Sequence, residues 1–343
     1  MKADQQTGAA IPVTIVTGFL GSGKTTLLNY LLGQPGFAHS AVLINEFGSV
    51  AIDHLLVRKI SDEMVVLNNG CLCCSIRSDL VAAMRDLFLK RVKGEVPEFG
   101  RLVIETSGLA DPAPILHSLM RDPLLAARYR LDGVVCTVDL VNGHATLDQH
   151  DQAVKQVAMA DRLLLTKADL ATGAAMALGQ RLTRLNPRAP CFSIHQGCVD
   201  PDQILGCGLF KGGAGLPDIG NWLKDEALTD QDSPAVRVHG HGEDHRVTTF
   251  VTVFEKPVNW PALSQALDLL ISLRGESLLR IKGVVNAQGM DTPLVIHGVQ
   301  HVFHPPVSLP AWPDSDRRTR LVFITRDLGR DFVEGIVRIT QTN

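Results

Sequence analysis

The sequence lacks the features that would place the chain in a membrane or on a nucleic acid. It contains no uninterrupted apolar run of about 18 residues, the length that a transmembrane helix requires. Basic residues do not predominate, since 33 Lys and Arg face 36 Asp and Glu and the formal net charge is -3. Residues 1–10 are polar and have no apolar centre, so we expect no signal peptide. These absences predict a cytoplasmic protein with no membrane and no nucleic-acid partner.

Cysteine is scarce and unevenly placed, which argues against a disulfide framework. The chain has seven cysteines, an odd number, and three of them fall within residues 71–74. Disulfide-stabilised domains pair their cysteines, whereas clustered thiols suit metal binding or redox chemistry. We therefore expect a reduced protein whose clustered cysteines have a chemical role.

The length of the chain predicts two domains, because 343 residues exceed one ordinary hydrophobic core. Over residues 1–205, β-branched apolar segments alternate with helical stretches, and polar motifs follow the strand ends. This alternation predicts an α/β domain with a doubly wound parallel sheet. Strands are expected at residues 13–17, 40–44, 63–67, 101–104, 133–138, 162–165 and 190–194, and helices at 26–32 and at 78–92, the latter with Ser78 as its N-cap.

A change of composition separates this domain from the last part of the chain. Residues 206–245 are rich in glycine and contain a histidine group, which predicts a linker. Residues 246–343 predict a smaller α+β domain with an antiparallel sheet and no obvious catalytic motif. Its strands are expected at residues 248–254, 278–285, 293–296, 301–303 and 320–324, and its helices at 260–273, with Pro261 in the first turn, and at 330–339.

The most informative stretch is Gly18-Phe-Leu-Gly-Ser-Gly-Lys-Thr-Thr26, which matches the phosphate-binding P-loop and lies between a predicted strand and a predicted helix. Glycines let backbone N–H groups approach phosphates closely, and the helix N-terminus favours negative charge. Lys24 is expected to reach the β and γ phosphates, and the Thr25 hydroxyl to hold Mg²⁺. The motif predicts these phosphate-binding residues: Gly18, Gly21, Ser22, Gly23, Lys24, Thr25 and Thr26.

A second motif, Thr166-Lys-Ala-Asp169, follows an apolar strand and predicts the base that is bound. The Asp169 carboxylate can accept hydrogen bonds from guanine N1–H and the 2-amino group, which adenine does not present. The stem of Lys167 is expected to pack over the base, and Thr166 completes the binding residues. The nucleotide is therefore predicted to be GTP, and Asp169 argues against the alternative of an ATP-dependent small-molecule kinase.

A third motif, Glu105-Thr-Ser-Gly108, ends another strand. Glu105 can hold Mg²⁺ through water, and the Gly108 N–H can meet the γ-phosphate. Residues 109–114 are expected to form a mobile switch. The predicted catalytic residues are Lys24, Thr25 and Glu105, and hydrolysis is expected to be slow because no arginine finger or water-positioning glutamine can be assigned.

Gly70-Cys-Leu-Cys-Cys74 distinguishes the chain from a generic GTPase. Thiolates favour zinc and other soft or borderline ions, and a closed zinc site needs four ligands. Cys71, Cys73 and Cys74 can converge on a turn, with Glu46 or water completing the set. The alternatives are three small buried side chains, which is the usual fate of one cysteine, or a redox pair.

Histidines provide weaker signals. His239, His241 and His245 lie close together in the predicted linker, where weak metal binding and a solvated polar loop explain them equally well. For His195 and Cys198 a structural role is favoured. His297, His301 and His304 are expected to occupy alternating core and surface positions of a sheet.

With these motifs in this order, and with Asn45-Glu-Phe-Gly48 between them, the sequence resembles the CobW-type GTPases over nearly its whole length. The resemblance implies a metal-trafficking GTPase that binds zinc or cobalt at the cysteines and serves zinc homeostasis, cobalamin biosynthesis or metalloenzyme maturation. Some relatives carry carboxylates where this chain has Ile44 and Ser49.

The resemblance leads to the hypothesis of a coupled switch. GTP and Mg²⁺ would order the motifs that flank the cysteines, and hydrolysis would release the ion to a client metalloprotein or metal-insertion enzyme docked near the C-terminal domain. By reciprocity, the metal would alter nucleotide affinity or turnover. The alternatives are a GTP-gated adaptor or maturation factor with a structural zinc, and a thiol redox sensor.

Overall fold

The computed structural model describes residues 10–45, 65–68, 76–171, 175–207 and 246–341. The two sheets that it contains lie in different parts of the chain, one before residue 194 and the other after residue 246. Most of the linker predicted at 206–245 therefore falls outside the described residues, and the predicted boundaries stay predictions.

The first sheet has seven strands in the order β3-β2-β4-β1-β5-β6-β7, and all neighbouring strands are parallel. Runs of β-branched and leucine side chains, buried from both faces, account for this arrangement. The strands are β1 (Ile11–Gly18), β2 (Ser40–Asn45), β3 (Val65–Asn68), β4 (Arg101–Thr106), β5 (Tyr129–Asp139), β6 (Arg162–Thr166) and β7 (Cys191–Ser193).

Helices cover both faces of this sheet. Alternate side chains of β5 show the division, because Val135 packs with α1 while Val134 and Cys136 face the opposite layer. The helices are α1 (Lys24–Leu32), α2 (Ile76–Lys93), α3 (Ala113–Arg121), α4 (Pro123–Arg128), α5 (Gly143–Gln149), α6 (Asp151–Met159) and α7 (Ala175–Leu185). The predicted doubly wound α/β fold is confirmed.

The second sheet is antiparallel and has the order β11-β10-β9-β13-β8, with β12 paired to β10. Two helices, α8 (Trp260–Arg274) and α9 (Arg330–Val337), pack their apolar residues against it. The strands are β8 (Val247–Phe254), β9 (Leu278–Val285), β10 (Leu294–Val299), β11 (Val302–Phe303), β12 (Val307–Ser308) and β13 (Thr319–Arg326). The predicted α+β class of this part is confirmed.

The two parts share buried surface. Val299 and Val302, at the ends of β10 and β11, belong to the same apolar cluster as Leu116 and Leu119 of α3. The buried His117 ring contacts the Val299 carbonyl oxygen through Nε2 at 3.0 Å. The second part of the chain therefore completes a core of the first.

Two local predictions are wrong. The helix α2 begins at Ile76, so Ser78 lies inside its first turn and is not the N-cap. Of the three histidines assigned to alternating sheet positions, only His297 lies in a strand, where it is buried. His301 is exposed in the turn between β10 and β11, and His304 follows β11, because the chain reverses there within two residues.

Candidate functional site

The loop between β1 and α1 begins at a glycine that no other residue can replace. Gly18 has φ 139°, and a Cβ atom there would lie 2.3 Å from Thr137 Oγ1 and 2.7 Å from Ser22 Oγ. Those two hydroxyl groups are themselves hydrogen-bonded at 2.7 Å. The first glycine thus lets the loop turn tightly against the end of β5.

The start of α1 suits an anion. Its N-cap is Gly23, which has no side chain that could cap the helix, and the first turn contains no acidic residue. Lys24 is buried, and its ammonium group donates to the carbonyl oxygens of Gly18 at 2.9 Å and Phe19 at 3.2 Å, which holds the cation across the loop. Backbone N–H groups of the first turn, the helix dipole and the Lys24 charge together fit a phosphate group.

The two predicted magnesium ligands are adjacent. Thr25 Oγ1 donates to Glu105 Oε1 at 3.2 Å, and Glu105 is buried at the end of β4. Strand pairing explains the proximity, since Glu105 lies opposite Val16 of β1, just before the loop. A hydroxyl and a carboxylate oxygen are the ligand types that Mg²⁺ prefers, so the pair fits that ion.

The backbone of Gly108 lies directly against the backbone of the loop. A Cβ atom on Gly108 would lie 2.7 Å from the backbone nitrogen of Leu20 and 2.8 Å from its Cα. Gln156 Nε2 donates to the carbonyl oxygens of Gly108 at 3.2 Å and Ala110 at 3.0 Å. Asp111 then accepts the backbone N–H of Ala113 at 2.9 Å where α3 begins. That residues 109–114 move as a switch stays a prediction.

Thr166 joins the predicted base-binding motif to the loop. Its Oγ1 donates to the Ser22 carbonyl oxygen at 2.8 Å, and its Cγ2 lies 3.4 Å from the position that a Cβ on Gly23 would take. Lys167 has φ 57° and pairs with Asp139 through Nζ and Oδ2 at 2.8 Å. Asp169 is half-exposed, which leaves its carboxylate accessible to a base.

Asp139, at the end of β5, was not among the predicted site residues. Burial raises the pKa of its carboxyl group, but hydrogen bonds from Lys167, Asn142 and two backbone N–H groups outweigh that effect and place the pKa below its ordinary value. The ionised Asp139 fixes the Lys167 side chain beside the loop. Its place at the carboxyl end of a central parallel strand is the signal that could have found it.

The turn at residues 195–198 also adjoins the site. It closes through the Cys198 N–H and the His195 carbonyl oxygen at 2.8 Å. A Cβ on Gly197 would lie 2.6 Å from the Thr26 carbonyl oxygen, so the turn packs on the first turn of α1. His195 Nδ1 lies 3.8 Å from Asp169 Oδ1. The turn thus packs on α1, in keeping with the structural role favoured for it. It also lies beside the predicted base-binding carboxylate.

The predicted metal ligands Cys71, Cys73, Cys74 and Glu46 lie outside the described residues, as do His239, His241 and His245. Within the part of the chain that the structure describes, no group of three His, Cys, Asp or Glu could hold a metal ion. Four other cysteines are described and carry free thiols. Burial raises the pKa of Cys136 and of Cys207 to about 12, so these two stay protonated.

No helix among the described residues is long and apolar enough to cross a membrane.

Two family models match the chain. The model described as "CobW/HypB/UreG, nucleotide-binding domain" matches residues 12–193, and the model described as "Cobalamin synthesis protein cobW C-terminal domain" matches residues 247–338. The first match contains all three nucleotide motifs and the cysteine motif.

Relatives of known name are similar over most of their length. The zinc chaperone YjiA of Escherichia coli is 36% identical over 315 residues, which cover 92% of this chain and 93% of the relative. The zinc chaperone CobW of Pseudomonas aeruginosa is 29% identical and covers 97% of this chain and 92% of its own. A crystal structure of zinc-bound YjiA GTPase from E. coli superposes with a TM-score of 0.70 at 28% identity, over 97% of this chain and 99% of that one.

Proposed function

This chain belongs to the CobW/HypB/UreG family of P-loop GTPases, and from that membership we propose that it is a GTP-hydrolysing metallochaperone that carries zinc or cobalt at its Cys-x-Cys-Cys motif. Its GTPase class follows from the family. The observation that carries the proposal is the contact between Thr25 and Glu105 beside the uncapped start of α1, since it joins a cation site to a phosphate site.

The residues around the loop have separate tasks in this proposal. Lys24 and the first turn of α1 would bind the phosphates and offset the charge that develops in the transition state. Thr25 and Glu105 would hold Mg²⁺, which supplies further positive charge against the phosphate oxygens. Gly108, held against Leu20, would present its N–H to the γ-phosphate.

Guanine would be selected at the other end of the nucleotide. Asp169 would accept two hydrogen bonds from the base, and the Lys167 stem, fixed by Asp139, would cover the ring. Thr166 ties this region to Ser22, so base and phosphate sites are held at a constant separation.

The cargo site is proposed at the edge of the sheet where β2, β3 and β4 end. The register places Ile44 opposite both Asn68 of β3 and Glu105 of β4. The residues that follow Asn45 and Asn68 in the chain include Glu46 and the three cysteines, our proposed ligands. Zinc is the ion named for the relatives, and thiolate ligands suit zinc and cobalt.

Glu105 lies in β4, between β1, which leads into the nucleotide loop, and β2, after which the proposed ligand Glu46 follows in sequence. Nucleotide state and metal affinity would therefore be coupled. We place the release of the ion in the cytoplasm, to a client metalloprotein or metal-insertion enzyme that docks near the C-terminal domain.

A competitive metal titration of the reduced protein tests this proposal. Zinc and cobalt are titrated with and without a non-hydrolysable GTP analogue, on the unmodified chain and on a Cys73→Ser, Cys74→Ser variant. We expect one equivalent bound through thiolates, an affinity that changes about tenfold with nucleotide, and loss of both in the variant with GTP binding retained.

A Cys191→Ser variant is the control, because its thiol is exposed, lies far along the chain from the motif and does not belong to the turn beside Asp169. It should titrate like the unmodified protein. Equal metal affinity in both nucleotide states would refute the coupled chaperone and favour the adaptor with a structural zinc. Metal binding that survives in the Cys73→Ser, Cys74→Ser variant would refute the cargo site.

A further inference from the structure

The helix α6 lies between the nucleotide loop and the C-terminal domain. On the loop side, the His150 ring, which precedes the helix, stacks on the Phe19 ring with centroids 4.4 Å apart and planes 21° apart. Lys155 pairs with Asp111 at 3.1 Å, where residues 109–114 lead into α3. The helix thus contacts both the loop and the predicted switch.

Gln156 is the innermost of these contacts. It is fully buried, and its Nε2 group donates to both Gly108 and Ala110. An apolar side chain at this position could donate to neither carbonyl oxygen. The two hydrogen bonds from Gln156 fix the carbonyl groups on either side of Leu109. Through the Cα atom of Gly108 they also restrict the preceding peptide, whose N–H is proposed to meet the γ-phosphate.

The helix α6 is also tied to the C-terminal domain at both of its ends. At its first residue, Asp151 pairs with Arg326 at the end of β13. At its last residue, the Met159 carbonyl oxygen accepts a hydrogen bond from Arg280 of β9. The same guanidinium holds both oxygens of the buried Asp161 at 2.8 Å, and Lys282 pairs with that carboxylate as well.

A cavity of about 1000 Å³ lies beside these ties, between α3, α6 and the C-terminal domain. The ion pairs Asp151–Arg326 and Lys155–Asp111 both line it. Anything bound against the C-terminal domain at this cavity would therefore contact the N-terminal half of α6, at Asp151 and Lys155, and not the nucleotide loop.

We propose that Gln156 is a positioning residue for GTP hydrolysis, and that α6 transmits the state of the C-terminal domain to the nucleotide through it. The inference rests on the proposed GTPase site. Gln156 sets the Gly108 peptide against the loop, and the ties to Arg326 and Arg280 set the position of Gln156. A partner that displaced Arg326 from Asp151 would change the hydrolysis rate without touching the nucleotide.

Single-turnover and steady-state GTP hydrolysis by Gln156→Leu and Arg326→Met variants test the inference, together with the affinity for GTP. Gln156→Leu should lower kcat about tenfold, because the Gly108 peptide loses its orientation, while the dissociation constant stays within about twofold. Arg326→Met should lower kcat about threefold. The double variant should be no slower than Gln156→Leu alone, since both act through one contact.

Each control variant makes the same chemical change as one test variant, at a position outside the proposed contacts. Gln152→Leu makes the same change at an exposed position of the same helix, and Arg318→Met removes ion pairs to Asp316 and Glu255 that do not reach α6. Both should hydrolyse GTP like the unmodified chain, and thermal melting checks that every variant is folded. Arg326 lies outside both hydrophobic cores. The hydrolysis rate of Arg326→Met therefore tests the inference even if Gln156→Leu does not fold.

Different results would refute the proposed function and the proposed role of α6. An unmodified chain that shows no magnesium-dependent GTP hydrolysis refutes the proposed function. An active chain in which Gln156→Leu or Arg326→Met equals its control, or in which their effects on kcat multiply, overturns the role of α6.

Discussion

At the scale of single residues, Asp169 is proposed to carry the choice of base. Its carboxylate is half-exposed, and its Oδ1 atom lies 3.8 Å from His195 Nδ1. Asp169→Asn replaces one acceptor oxygen by an NH2 donor. That NH2 group would then face an N–H donor of guanine, so one hydrogen bond to the base would be lost. We expect GTP affinity to fall about 100-fold and affinity for xanthosine triphosphate, which has an acceptor at that position, to rise.

Fluorescent-nucleotide competition with GTP, ATP and xanthosine triphosphate measures this change. Asp200→Asn, an exposed carboxylate at the start of a short 3₁₀ turn, is the control and should keep GTP affinity. Unchanged GTP affinity in Asp169→Asn would show that another group reads the base.

The contact between Thr25 and Glu105 could be anticipated from the sequence. Both residues were assigned to one magnesium ion, and the strand ends of a parallel sheet meet at one edge. Gln156 could not be found this way, because it lies on a helix with no motif and contacts backbone carbonyl groups. Asp139 carries the strand-end signal and was overlooked. Which helix packs against a loop depends on tertiary contacts that local patterns do not contain.

At the scale of elements, the residues around its first turn set the start of α8. Asn259 Oδ1 accepts the Ala262 N–H at 3.0 Å, and Pro261 lies in the first turn as predicted. Asn259→Ala leaves that N–H without its cap and should lower the free energy of unfolding by about 1 kcal/mol.

Urea unfolding followed by circular dichroism tests this value. Gln265→Ala, at an exposed position of the same helix, changes helix propensity little and should stay within about 0.5 kcal/mol of the unmodified chain. Equal stability of the two variants would mean that solvent caps the helix as well as Asn259 does.

The predicted helices end within two residues of the observed helices, and most strands within a few residues, whereas β12 was not predicted. Buried strands have a continuous apolar signal, which a two-residue strand such as β12 does not show. The start of α2 was placed too late because Ser78 has N-cap chemistry, yet the helix already includes Ile76.

At the scale of the whole molecule, one buried histidine makes stability depend on pH. Burial holds the pKa of His297 well below its ordinary value, and the charges of Arg280 and Lys282 add to this effect, as does His304, while Asp161 opposes it. The unfolded chain binds a proton at this residue below about pH 6.5, and the folded chain does not. Stability is therefore complete above that pH and should decrease by up to about 1.4 kcal/mol per pH unit below it.

Urea midpoints between pH 7.5 and pH 5 measure this slope. Within that window Asp161 does not interfere, because its carboxyl pKa is lowered by Arg280 and Lys282 despite burial, and its contribution is lost only below about pH 4. His297→Phe should flatten the slope, and His301→Gln, which changes an exposed ring, should keep it. Parallel slopes for the unmodified chain and His297→Phe would disprove the assignment.

The placement of Val299 and Val302 in a core of the nucleotide-binding part has a consequence for inheritance. One family model ends at residue 193 and the other begins at residue 247. The cores do not follow that division, because Val299 and Val302 cover part of the apolar surface of α3. Recombination that exchanged one half between relatives would bring together unmatched halves of a single core. We therefore expect such chimeras to be less stable than either parent unless α3 and a turn some 180 residues away are exchanged together.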